Sequence, residues 1–181
     1  MRFSRIHILG ASGAGTTTLG AALAAHLGYS HFDADDYFWA PTVPPFQVKI
    51  ARDERLRTIL EDLSNVSKSV LSGAVSDWGA SLEDSFDLII FLRIPPAVRL
   101  ARLRAREITR HGAVSEEFIA WAAQYDHGDL SVRSRLLQET WLSRRRCEIL
   151  RLEEDMSVED RLRAVLQKAT SPPDPSPTPP A

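Results

Sequence analysis

The amino-acid sequence predicts an α/β fold in which helices cover both faces of a parallel sheet. Three observations lead to this prediction. The chain has 181 residues, of which 44% are hydrophobic, so it can bury one core of ordinary size. Five short apolar runs have the length of buried strands, and helical patterns separate them. Strands that alternate with helices form right-handed crossover units, which place the strands in parallel.

Each predicted element follows from its own pattern. The apolar runs predict strands at residues 5–9, 29–33, 69–72, 88–92 and 148–152. Apolar residues at helical spacing predict helices at residues 15–27, 48–64, 96–110, 115–125, 133–145 and 158–169. Gly28 is a natural end for the first helix, and Pro96 is a favourable first residue for the third.

Two segments are rich in proline. Residues 40–48 carry three prolines and predict an extended loop after the second strand. Residues 171–181 hold six of the eleven prolines, so they predict a disordered tail behind a single domain at residues 1–170.

Composition limits the partners and the compartment. The net charge is −2, so bulk charge indicates neither nucleic acid nor membrane as a partner. Cys147 is the single cysteine, which excludes an internal disulfide and suits the reducing cytoplasm. No apolar run reaches the roughly 18 residues that a membrane helix needs.

A glycine-rich segment lies between the first predicted strand and the first predicted helix. Its pattern, Gly-x4-Gly-x-Thr from Gly10 to Thr17, has the context of a phosphate-binding loop. Glycines let backbone N–H groups turn inward around phosphates, and the helix N-terminus adds partial positive charge. The predicted nucleotide contacts are Gly10, Ser12, Gly13, Ala14, Gly15, Thr16, Thr17 and Thr18. The alternative is a tight turn that binds no ligand.

Two positions of this loop decide its chemistry. Thr17 stands where the Ser/Thr of such loops coordinates Mg²⁺. A lysine usually precedes it and reaches the β- and γ-phosphates, but Thr16 stands there and brings no charge. Three interpretations stay open: another cation replaces the lysine, the chemistry is weak, or nucleotide is bound without turnover.

Two motifs carry a resemblance to a known group. The loop continues as TTLGAALA at residues 17–24, and the second strand leads into FDADD at residues 32–36. Over about residues 5–165, the chain resembles the shikimate kinase, gluconate kinase and adenylate kinase-like branch of P-loop kinases. The resemblance implies a three-layer α/β/α P-loop NTPase fold with a five-stranded sheet in the order 2-3-1-4-5.

The same resemblance implies an activity. ATP and Mg²⁺ would be the cofactors, and the γ-phosphate would move to a nucleoside monophosphate or to a sugar or hydroxy acid. The working state would be a monomer or homodimer. The missing lysine motivates a second class, an ATP-binding sensor or regulatory protein with little turnover.

Three carboxylates follow the second predicted strand, at the sheet edge where open α/β folds bind ligands. The resemblance implies that Asp33 lies near Mg²⁺ and that Asp35 receives the acceptor hydroxyl. The alternative is a capping cluster for a helix or turn that begins at Tyr37. Asp36 completes the cluster. After the third strand, the chain has Ser72 where related kinases often carry an aspartate, so Asp33 is the predicted metal carboxylate.

Arginines recur at steps of three and four on the third long helix, which places them on one face. They are Arg99, Arg102, Arg106 and Arg110. Only Glu107 is a nearby acidic residue, so an anion is the expected partner, and a solvated charged face is the alternative. The resemblance implies that Arg102 and Arg106 stabilise the transferred phosphoryl group.

A lid is predicted over residues 109–134, with Gly112 and Gly128 as its hinges. Arg133 and Arg135 follow it and resemble the arginines that close on phosphates, and Arg133 is the preferred candidate. Trp39 precedes the proline loop, where an acceptor ring could stack on it. A nucleoside monophosphate would instead need Arg52 or Arg55 for its phosphate.

Overall fold

Five strands form one parallel sheet in the computed structural model, which describes residues 2–43, 45–129 and 133–171. The strands are β1 (Arg5–Gly10), β2 (Ser30–Asp33), β3 (Ser69–Ser72), β4 (Leu88–Leu92) and β5 (Glu148–Leu152). Their order across the sheet is β2-β3-β1-β4-β5, which confirms the predicted fold class and strand order. β1 is therefore central, and the phosphate loop leaves the middle of the sheet.

Helices connect the strands and cover the sheet. They are α1 (Thr16–Leu27), α2 (Ala34–Phe38), α3 (Arg52–Ser64), α4 (Ala80–Glu83), α5 (Pro96–His111), α6 (Glu116–Ala123), α7 (Arg135–Leu142) and α8 (Val158–Thr170). A 3₁₀ turn, Gln124–Asp126, follows α6. Helix α6 and this turn lie within the segment predicted as a lid.

The side chains of β1 alternate between two hydrophobic cores, one on each face of the sheet. Ile6 and Ile8 pack with α1 and α8, whereas Leu9 packs with α3, α4 and α7. Both layers are buried, since Leu23 of α1 and Ile59 of α3 each have 0% exposure. This sandwich fixes the carboxyl ends of the strands, where the loops of the site begin.

Several predicted boundaries were wrong, each for a local reason. The helix predicted from residue 48 begins at Arg52, because Trp39 and Lys49 form an antiparallel bridge that closes the proline loop. The helix predicted over residues 133–145 begins at Arg135 behind a Ser134 cap and ends at Leu142. The two short helices α2 and α4 were not predicted as such. Residues 172–181, predicted as a disordered tail, lie outside the described residues.

Among the described residues, no helix combines the length and apolar character needed to cross a membrane.

His7 lies in the centre of β1 and is completely buried. Its ring stacks on Phe86 at 4.7 Å, and its Nδ1 lies 3.0 Å from the carbonyl oxygen of Leu71. Burial, the largest cause, lowers the pKa of His7 from 6.5 to about 4, against the smaller opposing effect of the Leu71 contact. The native state therefore excludes the charged ring, whereas the unfolded chain accepts a proton near pH 6.5.

This burial predicts a pH dependence of stability. The His7 contribution is fully present above pH 6.5 and is lost as pH falls through about 4, at a cost of about 3 kcal/mol. Urea unfolding between pH 7.5 and pH 4 is the measurement. The His7→Gln variant is expected to lose less stability over that range than wild type, while the exposed His26→Gln control should follow wild type. Parallel curves for wild type and His7→Gln would contradict the assignment.

Candidate functional site

The phosphate loop adopts a shape that only glycine allows at two positions. Gly13 and Gly15 have φ values of 84° and 90°, in the left-handed region. A Cβ at Gly13 would lie 2.8 Å from the carbonyl oxygen of Arg99, so the loop also packs tightly against α5. Helix α1 then starts at Thr16 without a side-chain cap and without an acidic residue in its first turn. Its first N–H groups are therefore available to an anion.

The Thr17 hydroxyl faces the carboxylate of Asp33. Thr17 Oγ1 donates a hydrogen bond of 2.6 Å to Asp33 Oδ2. An oxygen atom from α1 therefore lies directly next to an oxygen atom from the end of β2. Mg²⁺ prefers such oxygen ligands and usually takes one or two protein groups together with substrate phosphates. The described residues contain no group of three or more His, Cys, Asp or Glu side chains around a metal position. The pair therefore fits a magnesium ion that is held jointly by protein and phosphate.

Asp33 also has the capping role that was considered as its alternative. Its Oδ1 accepts the backbone N–H of Asp35 at 3.0 Å and caps α2, which begins at Ala34 rather than at Tyr37. One carboxylate thus serves two purposes, because its two oxygens point to different partners. The cap holds Oδ2 in position opposite Thr17.

Ser72 lies at the end of β3 and contacts the phosphate loop. Its hydroxyl donates to the carbonyl oxygen of Thr16 at 3.2 Å, and the ring nitrogen Nε2 of His31 lies 2.8 Å from it. Helix α1 approaches so closely that a Cβ on Gly20 would lie 2.0 Å from the same hydroxyl. Ser72 therefore fixes α1 on the sheet and leaves Asp33 as the carboxylate beside Thr17.

Asp35 lies within electrostatic reach of two arginines, Arg106 and Arg133, that come from different parts of the chain. Partial removal of water around its carboxylate raises the pKa of Asp35 above 3.8, and the neighbouring Asp33 and Asp36 raise it further. Arg133 and Arg106 act in the opposite direction. Of the predicted catalytic residues, these three are brought together by the structure.

Arg133 lies beside the phosphate loop as well. A small cavity is lined by Ser12 of the loop and by Arg133 and Tyr125. Burial, the largest cause, lowers the pKa of Arg133, and the nearby Asp35 and Tyr125 partly oppose this effect. The Nε atoms of Arg133 and Arg106 are buried without a hydrogen-bond partner among the described residues. Such donors suit a site that receives an anion.

The arginines of α5 do not form one shared charged face. The prediction that Glu107 is the only acidic residue near enough to pair with them was wrong. Arg99 is 1% exposed and forms an ion pair with Asp126 at 2.8 Å. Arg102 is half-exposed and pairs with Asp155 at 2.5 Å. Both partners are distant in sequence, so helical spacing alone could not reveal them. Arg102 therefore lies next to the segment that leads into α8.

Arg161 of α8 is a residue of the site that the sequence did not indicate. It is 3% exposed, and its Nη1 donates to the carbonyl oxygen of Ala14 at 2.9 Å. Arg99 braces the same loop through the carbonyl of Ser12 at 3.3 Å. Nothing local distinguishes Arg161 from a surface arginine, because 147 positions separate it from Ala14.

The proline loop closes over an aromatic region next to the acidic cluster. The rings of Trp39 and Phe46 meet edge to face at 6.0 Å. Beneath them, the Arg55 guanidinium lies 4.6 Å from the centre of the Phe38 ring and 5.0 Å from that of Trp78. The Nε of Arg55 is buried without a partner among the described residues. Lys49 Nζ also lies 6.0 Å from the centre of the Trp39 ring, so the region offers flat apolar surfaces and two cations to a small molecule.

Comparisons with known proteins show which family and which relatives this chain is similar to. The model of the AAA domain family matches residues 6–120. The uncharacterized protein YqaC of Bacillus subtilis (strain 168) is 43% identical over 176 residues, which cover 92% of this chain and 97% of YqaC.

Solved structures of kinases share the fold at low sequence identity. Shikimate kinase from Acinetobacter baumannii in complex with shikimate superposes with a TM-score of 0.62 and 20% identity, covering 93% of both chains. Deoxyadenosine kinase from M. mycoides with bound dATP gives a TM-score of 0.60 at 16% identity over 92% of this chain and all of that one. A gluconokinase from Sinorhizobium meliloti 1021 gives 0.55 at 17% identity, over 91% and 90%.

The sheet order and the glycine loop define a P-loop protein with the fold of the nucleotide and small-molecule kinases. The family model that matches residues 6–120 and the 43% identity to YqaC then show which sequences are related to this chain. The chain belongs to the AAA domain family.

Proposed function

We propose that this protein is a kinase that transfers the γ-phosphate of ATP to a small acceptor. The observation that carries the proposal is the 2.6 Å contact between Thr17 and Asp33. It joins the phosphate loop to the strand end that also presents Asp35. A phosphate site, a magnesium position and a carboxylate for the acceptor thus share one edge of the sheet, as phosphoryl transfer requires.

Each residue of the proposed site has a role that follows from its chemistry. Backbone N–H groups from Gly10 to Thr18 hold the phosphates, as glycine loops at helix N-termini do. Thr17 and Asp33 would hold Mg²⁺, which would neutralise negative charge on the phosphates. Arg106 and Arg133 supply further positive charge near Asp35. Arg102, which is paired with Asp155, is proposed to act only after that pair opens.

Two acceptor classes fit the aromatic region. A sugar or hydroxy acid would place its hydroxyl at Asp35, where burial, the largest cause, raises the pKa of the carboxyl above 3.8 and so makes it a better proton acceptor. A nucleoside monophosphate would need no base and would place its phosphate at Arg55 or at Arg52, whose Nε donates to the backbone carbonyl oxygen of Asp77 at 2.5 Å. The carboxylate with its two arginines favours the hydroxyl acceptor. We further propose a cytoplasmic monomer or homodimer.

A coupled ADP-release assay tests the proposal. The full chain is incubated with ATP and Mg²⁺ and with a panel of sugars, hydroxy acids, nucleosides and nucleoside monophosphates. At least one acceptor is expected to raise ADP release well above the rate with ATP alone. If ATP binds by calorimetry and no acceptor raises ADP release, the kinase proposal fails. The result would then favour the sensor or regulatory protein that the uncharged Thr16 suggests.

A further inference from the structure

The guanidinium of Arg161 lies against the phosphate loop from the side of α8. One of its N–H groups binds the carbonyl oxygen of Ala14 at 2.9 Å. A Cβ built on Gly15 would lie 3.2 Å from the same nitrogen, so the guanidinium touches the turn that leads into α1. Gly15 immediately precedes Thr16, the position where other phosphate loops carry their lysine.

The charge of Arg161 is not neutralised by the described part of the protein. Its Nε and Nη2 are buried and have no hydrogen-bond partner there. Asp155 is the carboxylate nearby, and it is bound to Arg102 at 2.5 Å. Burial, the largest cause, and the like charge of Arg102 lower the pKa of Arg161, while Asp155 opposes them. A buried guanidinium without an anion is costly, which indicates that an anion completes the site.

We propose that Arg161 is a positioning residue that supplies, from α8, the positive charge that Thr16 does not bring to the phosphate loop. The inference rests on the proposed nucleotide binding and deepens it. One N–H holds the Ala14 carbonyl outward, which keeps the following backbone N–H groups turned toward the ligand. The charge itself acts on the phosphates through the water-poor interior beside Gly15, where electrostatic attraction is stronger than in water.

Calorimetric titration of full-length variants tests this role. ATP affinity is expected to fall about 10- to 100-fold in Arg161→Met, because the phosphates lose the attraction of a nearby positive charge. Adenosine lacks the phosphates, so its affinity should change much less. Arg161→Lys keeps the charge and should recover most of the ATP affinity. The matched control is Arg163→Met on the same helix, whose side chain is 76% exposed and pairs with Asp160.

A second substitution separates charge from loop shape. Thr16→Lys in the Arg161→Met background restores a cation at the usual place, and we expect it to regain at least part of the ATP affinity. In wild type, Thr16→Lys should not strengthen ATP binding, because two cations would then crowd one ligand. Arg161→Met within twofold of wild type would overturn the inference. So would a loss that neither Arg161→Lys nor Thr16→Lys relieves, since loop shape alone would then explain it.

The same measurements keep this inference apart from the proposed function. If wild type binds no ATP, nucleotide binding itself is rejected. If wild type binds ATP and Arg161→Met binds it equally well, only the role of Arg161 is rejected. If thermal unfolding shows that Arg161→Met does not fold, the single variant Thr16→Lys decides whether Arg161 supplies the charge. A tenfold gain in ATP affinity would then overturn the inference, and an unchanged or weaker affinity would support it.

Discussion

The Arg133→Met variant is expected to lose about 10³-fold in kcat while binding ATP with little change in affinity. Arg133 lies beside Ser12 of the phosphate loop and within electrostatic reach of Asp35 and Asp33. In the proposed mechanism it would lie next to the phosphoryl group that is transferred. An arginine in this position stabilises the transition state more than the ground state, so its loss affects kcat before affinity.

Steady-state kinetics with the acceptor found in the ADP-release panel measure this effect. Arg135→Met is the matched control, because Arg135 is the neighbouring arginine that the sequence offered as an alternative, and it should remain near wild type. The pH profile gives an independent readout. Since Arg133 lowers the pKa of Asp35, its removal should move the ascending limb of kcat/KM to higher pH. A kcat within tenfold of wild type would rule out this role.

The Asp35→Asn variant is the second large effect, with an expected loss of about 10²- to 10⁴-fold in kcat for a hydroxyl acceptor. An amide of the same shape cannot take the proton, although it can still accept a hydrogen bond. Because the pKa of Asp35 is raised above 3.8, wild-type kcat/KM should increase with pH as this carboxyl ionises. The variant should lack that increase.

Asp36→Asn is the control for Asp35→Asn, since Asp36 is its exposed neighbour in the same cluster. With a nucleoside monophosphate as acceptor, the Asp35 effect should be small, because a phosphate oxygen attacks without a base. The size of the loss therefore also distinguishes the two acceptor classes. Equal activity of Asp35→Asn and wild type on a hydroxyl acceptor would remove Asp35 from the mechanism.

Much of the fold could be predicted because its signals are local. Three strands, at residues 69–72, 88–92 and 148–152, have the predicted limits, since each is a short apolar run between polar turns. The phosphate loop was predictable for a similar reason, because its glycines follow a strand and precede a helix. The limits of α3 and α7 were less predictable, since they depend on the Trp39–Lys49 bridge and on the Ser134 cap.

The candidate site was predictable only in part, because its charges depend on contacts across the chain. Helical spacing placed Arg99, Arg102 and Arg106 on one face, but it could not show that the first binds Asp126 and the second Asp155. Arg161 gave no signal at all, since its partner is the backbone of Ala14. Such a contact leaves no pattern of neighbouring side chains to detect.

The bond between Arg161 and Ala14 has a consequence for the order in which the molecule matures. The glycine loop and α1 leave the ribosome early, whereas α8 is made about 140 residues later. A growing chain can therefore form the loop before it possesses the arginine that braces it. If Arg161 has the proposed role, a bound nucleotide would favour the state in which α8 has docked, by mass action. The bound nucleotide and the docked helix α8 would thus stabilise each other.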